Sequence, residues 1–262
     1  MKIIGMILSG GSGQRFGSEI PKQYLDINGR PVISYAAEAF QKSMADEIII
    51  VAGAGYTDRC TQIAEEGNYS KVTAVIEGGS ERYYSVLKGL EYLMKKNDED
   101  CVVLIHDGAR PFISASTING VAMTVLKEGA AIAAVPCTDT IKIADEEGNI
   151  VSTTRRSLTF AAQTPQGFRL KDIYRAYKEI IGEDRASAGQ KHNGSPETIR
   201  DRTHTGPVEK QSNAVIEITD DAMVYQMAFP DGKIKIVQSD TTNMKITRAR
   251  DLDIANLLLI SC

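Results

Sequence analysis

Tryptophan is absent from the 262-residue chain, aromatic residues make up only 6%, and just four cysteines and three histidines occur. Cys60, Cys101, Cys137 and Cys262 lie far apart with no C-x-x-C pair, and His106, His192 and His204 show no H-E-x-x-H spacing. A disulfide framework and a zinc site are therefore not expected, and a reducing, cytoplasmic setting is. No run approaches the ~18 apolar residues a membrane span needs. The first apolar run, Ile3 to Leu8, leads straight into a glycine-rich loop, so no secretory signal is expected either. Positive charge is also in short supply: 30 Lys and Arg against 34 Asp and Glu leave a net −4. Without clustered cations or a basic-aromatic stripe, neither nucleic acid nor an anionic membrane is an expected partner. What remains, 42% apolar and 24% charged residues, is globular composition and excludes disorder of the whole chain. With no internal repeat and no flexible linker, a single domain over residues 1–262 is expected.

Short apolar runs alternate with amphipathic segments over the first two-thirds of the chain. Ile3–Leu8, Ile48–Ala52, Val72–Ile76, Val102–Ile105 and Ala130–Val135 read as strands buried on both faces. Between them, Ile33, Ala36, Ala37 and Phe40 form one helical stripe. Val86, Leu87, Leu90, Leu93 and Met94 form a second, and Ile118, Val121, Ala122, Val125 and Leu126 a third. That rhythm predicts an α/β fold with a mostly parallel sheet covered by helices on both sides. After Pro136 the rhythm breaks. Thr140–Ala144 and Ile150–Thr154 flank a turn-rich Asp145–Asn149, which predicts a β-hairpin projecting as an arm over about residues 137–160. An isolated hairpin is marginal, so this arm is expected to dock on a partner subunit. Residues 183–213 are polar and aperiodic and read as a solvated insertion. A helix over Asp221–Met227, a strand over Lys233–Val237 and a helix over Leu252–Ile260 are expected to close the chain.

The first strand ends in Ser9-Gly10-Gly11-Ser12-Gly13-Gln14-Arg15-Phe16-Gly17. Glycines at a strand's C-terminal end let backbone N–H groups cradle phosphate oxygens. No Lys-Ser/Thr follows, which excludes a Walker A loop. Pro21 and a second strand ending without an acid argue against a dinucleotide fingerprint. Arg15 and Lys22, seven residues apart around a turn, can both face one phosphate pocket, where cations stabilise developing negative charge. Asp107 ends a strand at the sheet's carboxyl edge and is a candidate Mg²⁺ ligand. His106 beside it reads as structural, and Asp220 and Asp221 read as acids at a helix start.

Seven runs occur in order: GGSGQRFGSEIPKQYL (10–25), GGSERYYSVLKGL (78–90), IHDGARPF (105–112), TDTIK (138–142), AAQTPQGF (161–168), ITDDA (218–222) and TNMKIT (242–247). Together they resemble the 2-C-methyl-D-erythritol 4-phosphate cytidylyltransferases. The resemblance covers nearly the whole chain except the polar insertion, and it implies a Rossmann-like nucleotidyltransferase sandwich. The implied reaction is attack of methylerythritol 4-phosphate on the α-phosphate of CTP, with pyrophosphate leaving and Mg²⁺, or another divalent metal, present. By the same resemblance, Arg15, Lys22 and Lys245 are the catalytic cations, and Leu8, Ser9, Gly10, Gly11, Ser12 and Gly13 bind the nucleotide, the last three holding its phosphates through backbone N–H groups. Gly79, Ser80, Arg82 and Ser85 match the stretch that relatives use for cytosine and ribose. Asp107, Thr140, Arg156, Thr164 and Lys245 match contacts to the polyol phosphate, with Asp107 also the metal residue. Thr140 and Arg156 would cross a homodimer on the arm.

Some features point elsewhere within the class. The double glycine Gly10-Gly11 and the ending DLDIANLLL resemble the related ribitol-5-phosphate cytidylyltransferases of wall polymer synthesis. SVLKGL, DTIK and TTRRSLTFAAQTPQ resemble the isoprenoid enzyme. A non-catalytic nucleotide-binding regulator on the same fold is a third reading, opposed by the intact Arg15, Lys22, Asp107 and Lys245.

Overall fold

A computed structural model describes residues 1–10, 20–97, 100–181 and 218–260. The chain begins with β1 (Lys2–Ser9), a 3₁₀ turn at Lys22–Tyr24, a short pair β2 (Asp26–Ile27) and β3 (Arg30–Pro31), and α1 (Val32–Lys42). It continues through β4 (Glu47–Ala52), α2 (Thr57–Glu66), β5 (Val72–Glu77), α3 (Arg82–Lys96), β6 (Cys101–Asp107), α4 (Ala115–Glu128) and β7 (Ala130–Pro136). After the hairpin strands β8 (Lys142–Ala144) and β9 (Ile150–Thr153) come β10 (Phe160–Arg169) and α5 (Leu170–Ile180). The last described elements are α6 (Asp221–Ala228), β11 (Lys235–Gln238) and α7 (Ala249–Ile260).

Among the described residues the main sheet has seven strands in the order β11-β7-β10-β6-β1-β4-β5. β1 pairs in parallel with β4 and β6, as do β4 with β5 and β7 with β11, while β10 runs antiparallel to β6 and β7. Strand parity sorts the apolar runs onto two faces. Ile3, Ile7, Ile48, Ile50, Val102 and Leu104 meet α1, α2 and α4 through Phe40, Ile63 and Ile118. Ile4, Met6, Ile49, Val51, Val103 and Ile105 meet α3, α5 and α6 through Leu90, Tyr177 and Val224. Strands with both faces covered must be apolar throughout, which is why they lack alternation.

Three expectations change. Val72–Ile76 is an edge strand and is not buried on both faces: Thr73 and Glu77 are exposed and the rest half-buried. The strand expected over Lys233–Val237 starts at Lys235. The last helix starts at Ala249 because the Asp251 carboxylate accepts from the backbone N–H groups of Thr247 and Arg248. β10 was not anticipated, since a strand containing Pro165 and Gly167 carries no clear apolar run. The ladder with β7 shifts register between Ala162 and Gln166, which relieves Pro165 of the bond it cannot donate. The hairpin is present: β8 and β9 pair only with each other, and all their residues are exposed.

Candidate active site

β1 leads on to β4 and β5 on one side, while the return through α3 places β6 on the other, so the ends of β1 and β6 form a topological switch point. Ligands of α/β sheets bind at such points. Leu8 and Asp107 are register partners there, and Gly108 N–H donates to the Leu8 carbonyl at 2.8 Å. Missing side chains open the edge. A Cβ on Gly10 would stand 3.2 Å from Ser85 Oγ, and one on Gly78 only 2.6 Å from it. The resulting cavity, about 210 Å³, is walled by Leu8, Gly10, Lys22, Gln23, Ser80, Glu81, Arg82, Ser85, Asp107, Ala109 and Lys245. A second hollow of about 240 Å³ shares Arg82, Asp107 and Lys245 and continues past Arg110, Thr164 and Gln166 to Asp220.

Asp107 is the hub of both. Lys245 Nζ donates to its Oδ2 at 2.7 Å and Arg82 Nε to its Oδ1 at 3.0 Å. Burial opposes ionisation of this carboxyl, but Arg82 and Lys245 outweigh it and hold it well below the usual carboxylate range. Arg82 turns its two remaining nitrogens onto Asp221, which is fully buried and also accepts from the Tyr177 hydroxyl. Burial works against the Arg82 charge, yet Asp221 and Asp107 together raise its pKa. Planar, bidentate pairing of this kind fixes a guanidinium in one orientation.

A neutral relay backs the hub. Asp107 N–H donates to Thr164 Oγ1 at 3.1 Å, and Thr164 Oγ1 lies 3.0 Å from His106 Nδ1. His106 Nε2 sits 3.2 Å from the Arg110 carbonyl, which can only accept. Nε2 therefore carries the proton and Nδ1 accepts from Thr164. Burial drives the His106 pKa down to about 4, which keeps this tautomer neutral. His106 is thus structural, as its sequence context suggested.

Lys22, Leu8, Gly10, Ser80, Arg82, Ser85, Asp107 and Lys245 all border the first cavity, and Thr164 borders the second. Several side chains nevertheless serve differently from the sequence expectation. Ser9 has the odd parity of β1, so its buried hydroxyl turns away from the cavity to Tyr24 Oη at 3.0 Å. Ser85 Oγ accepts from Gly79 N–H at 3.1 Å and lies 3.1 Å from the Glu81 carbonyl, shaping the turn that carries Gly79. Arg82 spends its guanidinium on Asp107 and Asp221. Asp220 caps α6 by accepting from Met223 N–H at 2.9 Å, whereas Asp221, read as a second helix-start acid, is the counter-ion of Arg82. Thr140 and Arg156 meet each other on the exposed arm, Nη2 to Oγ1 at 2.8 Å, and neither borders the cavities. Gly11, Ser12, Gly13, Arg15 and the insertion at 183–213 lie outside the described residues.

The family model for 2-C-methyl-D-erythritol 4-phosphate cytidylyltransferase (IspD) matches residues 3–193. The chain belongs to that family. Among curated relatives, the 2-C-methyl-D-erythritol 4-phosphate cytidylyltransferase of Lachnospira eligens is 36% identical over 255 residues, covering 97% of each chain. That of Clostridium botulinum is 33% identical, covering 98% of this chain and 99% of its own. The crystal structure of 4-diphosphocytidyl-2C-methyl-D-erythritol synthase from Anaerococcus prevotii superposes with a TM-score of 0.76 at 26% identity, over 99% of this chain and 96% of that one. The sequence reading gave no site role to Asp221, Tyr177, Arg110 or Gln23. Three of them left a trace, as the second acid of ITDDA, the arginine of IHDGARPF and the glutamine after Lys22 in GGSGQRFGSEIPKQYL. Tyr177 sits among ordinary helix residues with nothing local to mark it.

Proposed function

We propose that the chain joins the phosphate of 2-C-methyl-D-erythritol 4-phosphate to the cytidylyl group of CTP. A phosphate oxygen of the polyol attacks the α-phosphorus, the bond from that phosphorus to the β-phosphate bridge breaks, and pyrophosphate leaves. The product is 4-diphosphocytidyl-2-C-methyl-D-erythritol, used in non-mevalonate isoprenoid synthesis. The observation that carries this reading is the convergence of Lys22, Arg82 and Lys245 on one glycine-edged cavity in a chain of this family. Lys22 and Arg15 stabilise charge gathering on the transferred phosphorus and the leaving group. The N–H groups of Gly11 to Gly13 cradle the triphosphate. Gly79 and Ser80 border the base. Lys245 keeps two further N–H donors beyond the one given to Asp107 and offers them to the acceptor phosphate. The attacking oxygen is already anionic, so no general base is required.

Magnesium is the proposed cofactor. Each oxygen of Asp107 has given one lone pair to a cation and keeps another, and Mg²⁺ takes one or two protein carboxylates beside phosphate oxygens and water. The donor set fits an ion carried mainly by the triphosphate, with Asp107 as its protein ligand. Bound there, the ion would neutralise charge on the triphosphate, and another hard divalent cation would suit the same oxygens.

The arm supports a homodimer. Ile143, Ile150, Val151 and Leu158 are 48%, 66%, 66% and 69% exposed, an apolar surface that a second subunit would cover. Thr140 and Arg156 would then complete the partner's site. No helix among the described residues is long and apolar enough to cross a membrane. A cytoplasmic location is proposed from the dispersed cysteines.

The deciding experiment is pyrophosphate release from CTP and Mg²⁺ with methylerythritol 4-phosphate and ribitol 5-phosphate in parallel. Preference for methylerythritol phosphate is expected, since the family model and the relatives carry that name. Preference for ribitol phosphate would overturn the acceptor and restore weight to the Gly10-Gly11 loop. CTP binding with no turnover would favour the regulator.

A further inference from the structure

Gln23 is 4% exposed and borders the first cavity, yet its Oε1 is buried with no hydrogen-bond partner among the described residues. A buried amide oxygen left unpaired is costly, a penalty that a ligand donor would remove. Its neighbour Tyr24 anchors the 3₁₀ turn from beneath, with the hydroxyl 3.0 Å from Ser9 Oγ and the ring stacked on Tyr56 at 4.5 Å. Gln23 is therefore held on a fixed support.

We infer that Gln23 is a specificity-determining residue that accepts a hydrogen bond from a hydroxyl of the polyol phosphate acceptor. This rests on the cytidylyltransferase reading and adds to it a residue for the acceptor. Three chemistries enter the cavity, and the unpaired oxygen chooses among them. Ionised phosphate oxygens only accept, so the triphosphate cannot satisfy it. The family resemblance assigns the nucleobase and the ribose, whose hydroxyls could also donate, to Gly79, Ser80, Arg82 and Ser85, at the end of β5 and the start of α3. The turn bearing Gln23 packs instead on α1, whose Ile33 underlies Gly108 at the end of β6. That is the side of Asp107 and Lys245, the residues proposed for the acceptor, and a polyol supplies hydroxyl donors there. A site built around such a bond rejects an analogue lacking the hydroxyl, because the buried acceptor is then left unpaired.

The test compares wild type with Gln23→Met, which keeps length and apolar bulk but removes the acceptor. KM for the polyol phosphate should rise about three- to tenfold, as for one neutral hydrogen bond. The dissociation constant for CTP, read by calorimetry, should stay within twofold, which also reports an intact fold. Monodeoxy acceptors should be poor substrates of wild type at one hydroxyl position, and for that analogue alone the variant should show no further loss. An unchanged acceptor KM, or a loss confined to CTP, would overturn the inference. Should Gln23→Met not fold, the deoxy series on wild type decides: equal tolerance at every hydroxyl overturns it, and intolerance at one that Gln23→Leu also abolishes supports it. Failure of the underlying reading looks different, because wild type itself would then not turn over methylerythritol phosphate.

Discussion

Arg82 and Asp221 meet fork to fork, Nη1 to Oδ1 at 2.9 Å and Nη2 to Oδ2 at 2.8 Å, across 139 residues of sequence. The pair ties the start of α6 to the start of α3, and through Arg82 Nε it reaches Asp107. Asp221 borders neither of the two cavities described above, so its influence on the reaction passes through the direction in which Arg82 points.

Asp221→Asn keeps the shape and removes the charge from the buried pair. Unfolding free energy from urea titration should drop by about 3 kcal/mol, as for breaking a buried ion pair. kcat/KM should fall as well, since Arg82 would no longer be held in register with Asp107. A stability within 0.5 kcal/mol of wild type, roughly the spread of surface substitutions, would show the pair to be dispensable.

Lys22→Ala and Arg15→Ala should each lower kcat by about two to three orders of magnitude, because the charge they meet is largest in the transition state. Melting temperature should hardly move. Steady-state pyrophosphate release measures the first and thermal unfolding the second, and near-normal turnover in either variant would remove that cation from the mechanism.

Shared sites across an arm-linked dimer predict complementation. Lys22→Ala and Arg156→Ala homodimers should each be poorly active. After subunit exchange, one site of each heterodimer would regain wild-type Lys22 and Arg156, restoring about a quarter of wild-type activity. No recovery on mixing would show that Arg156 serves its own subunit. Alone, Arg156→Ala should raise KM for the polyol phosphate far more than KM for CTP. Ile150→Asp should shift the species seen by analytical ultracentrifugation towards monomer.

The buried His106 sets a pH dependence with a definite sign. Its pKa falls from 6.5 to about 4 on folding, so between those values the unfolded chain binds the extra proton. This contribution is complete above about pH 6.5 and is lost as pH falls towards 4, in total about 3 kcal/mol. Urea midpoints at pH 7.5, 6 and 5 should decline in wild type and flatten in His106→Gln. Parallel curves would mean that the imidazole is not held neutral.

Much of this molecule is legible in one dimension. Continuous apolar runs such as Ile48–Ala52 announce strands covered on both faces, and the stripe Ile33, Ala36, Ala37, Phe40 announces the helix that covers them. The glycine-rich run that follows β1 in the sequence stands out for its chemistry, as do Lys22, Asp107 and Lys245, which border the cavity at the sheet's carboxyl edge. Turn chemistry around Asp145–Asn149 marks the hairpin. These signals depend on neighbours within about four residues or on a single strand or helix period, which is the range over which sequence pattern speaks.

Partnership is another matter. Whether Ser9 faces the cavity depends on the parity of β1 against β6 and on Tyr24 arriving beneath it. Whether Ser85 offers its hydroxyl depends on Gly79 and Glu81 taking it first. β10 enters between β6 and β7 despite Pro165, because a register shift accommodates the proline where a sheet position needs filling. Sequence alone determined the α/β layering and the family, since each is written in local periodicity or in motifs read in order. Only the tertiary structure decided that Arg82 belongs to Asp221, that His106 must stay neutral and that Gln23 borders the cavity while its buried oxygen finds no partner among the described residues. Those outcomes follow from sheet register and packing between distant segments, where burial makes every polar group find a partner or wait for one.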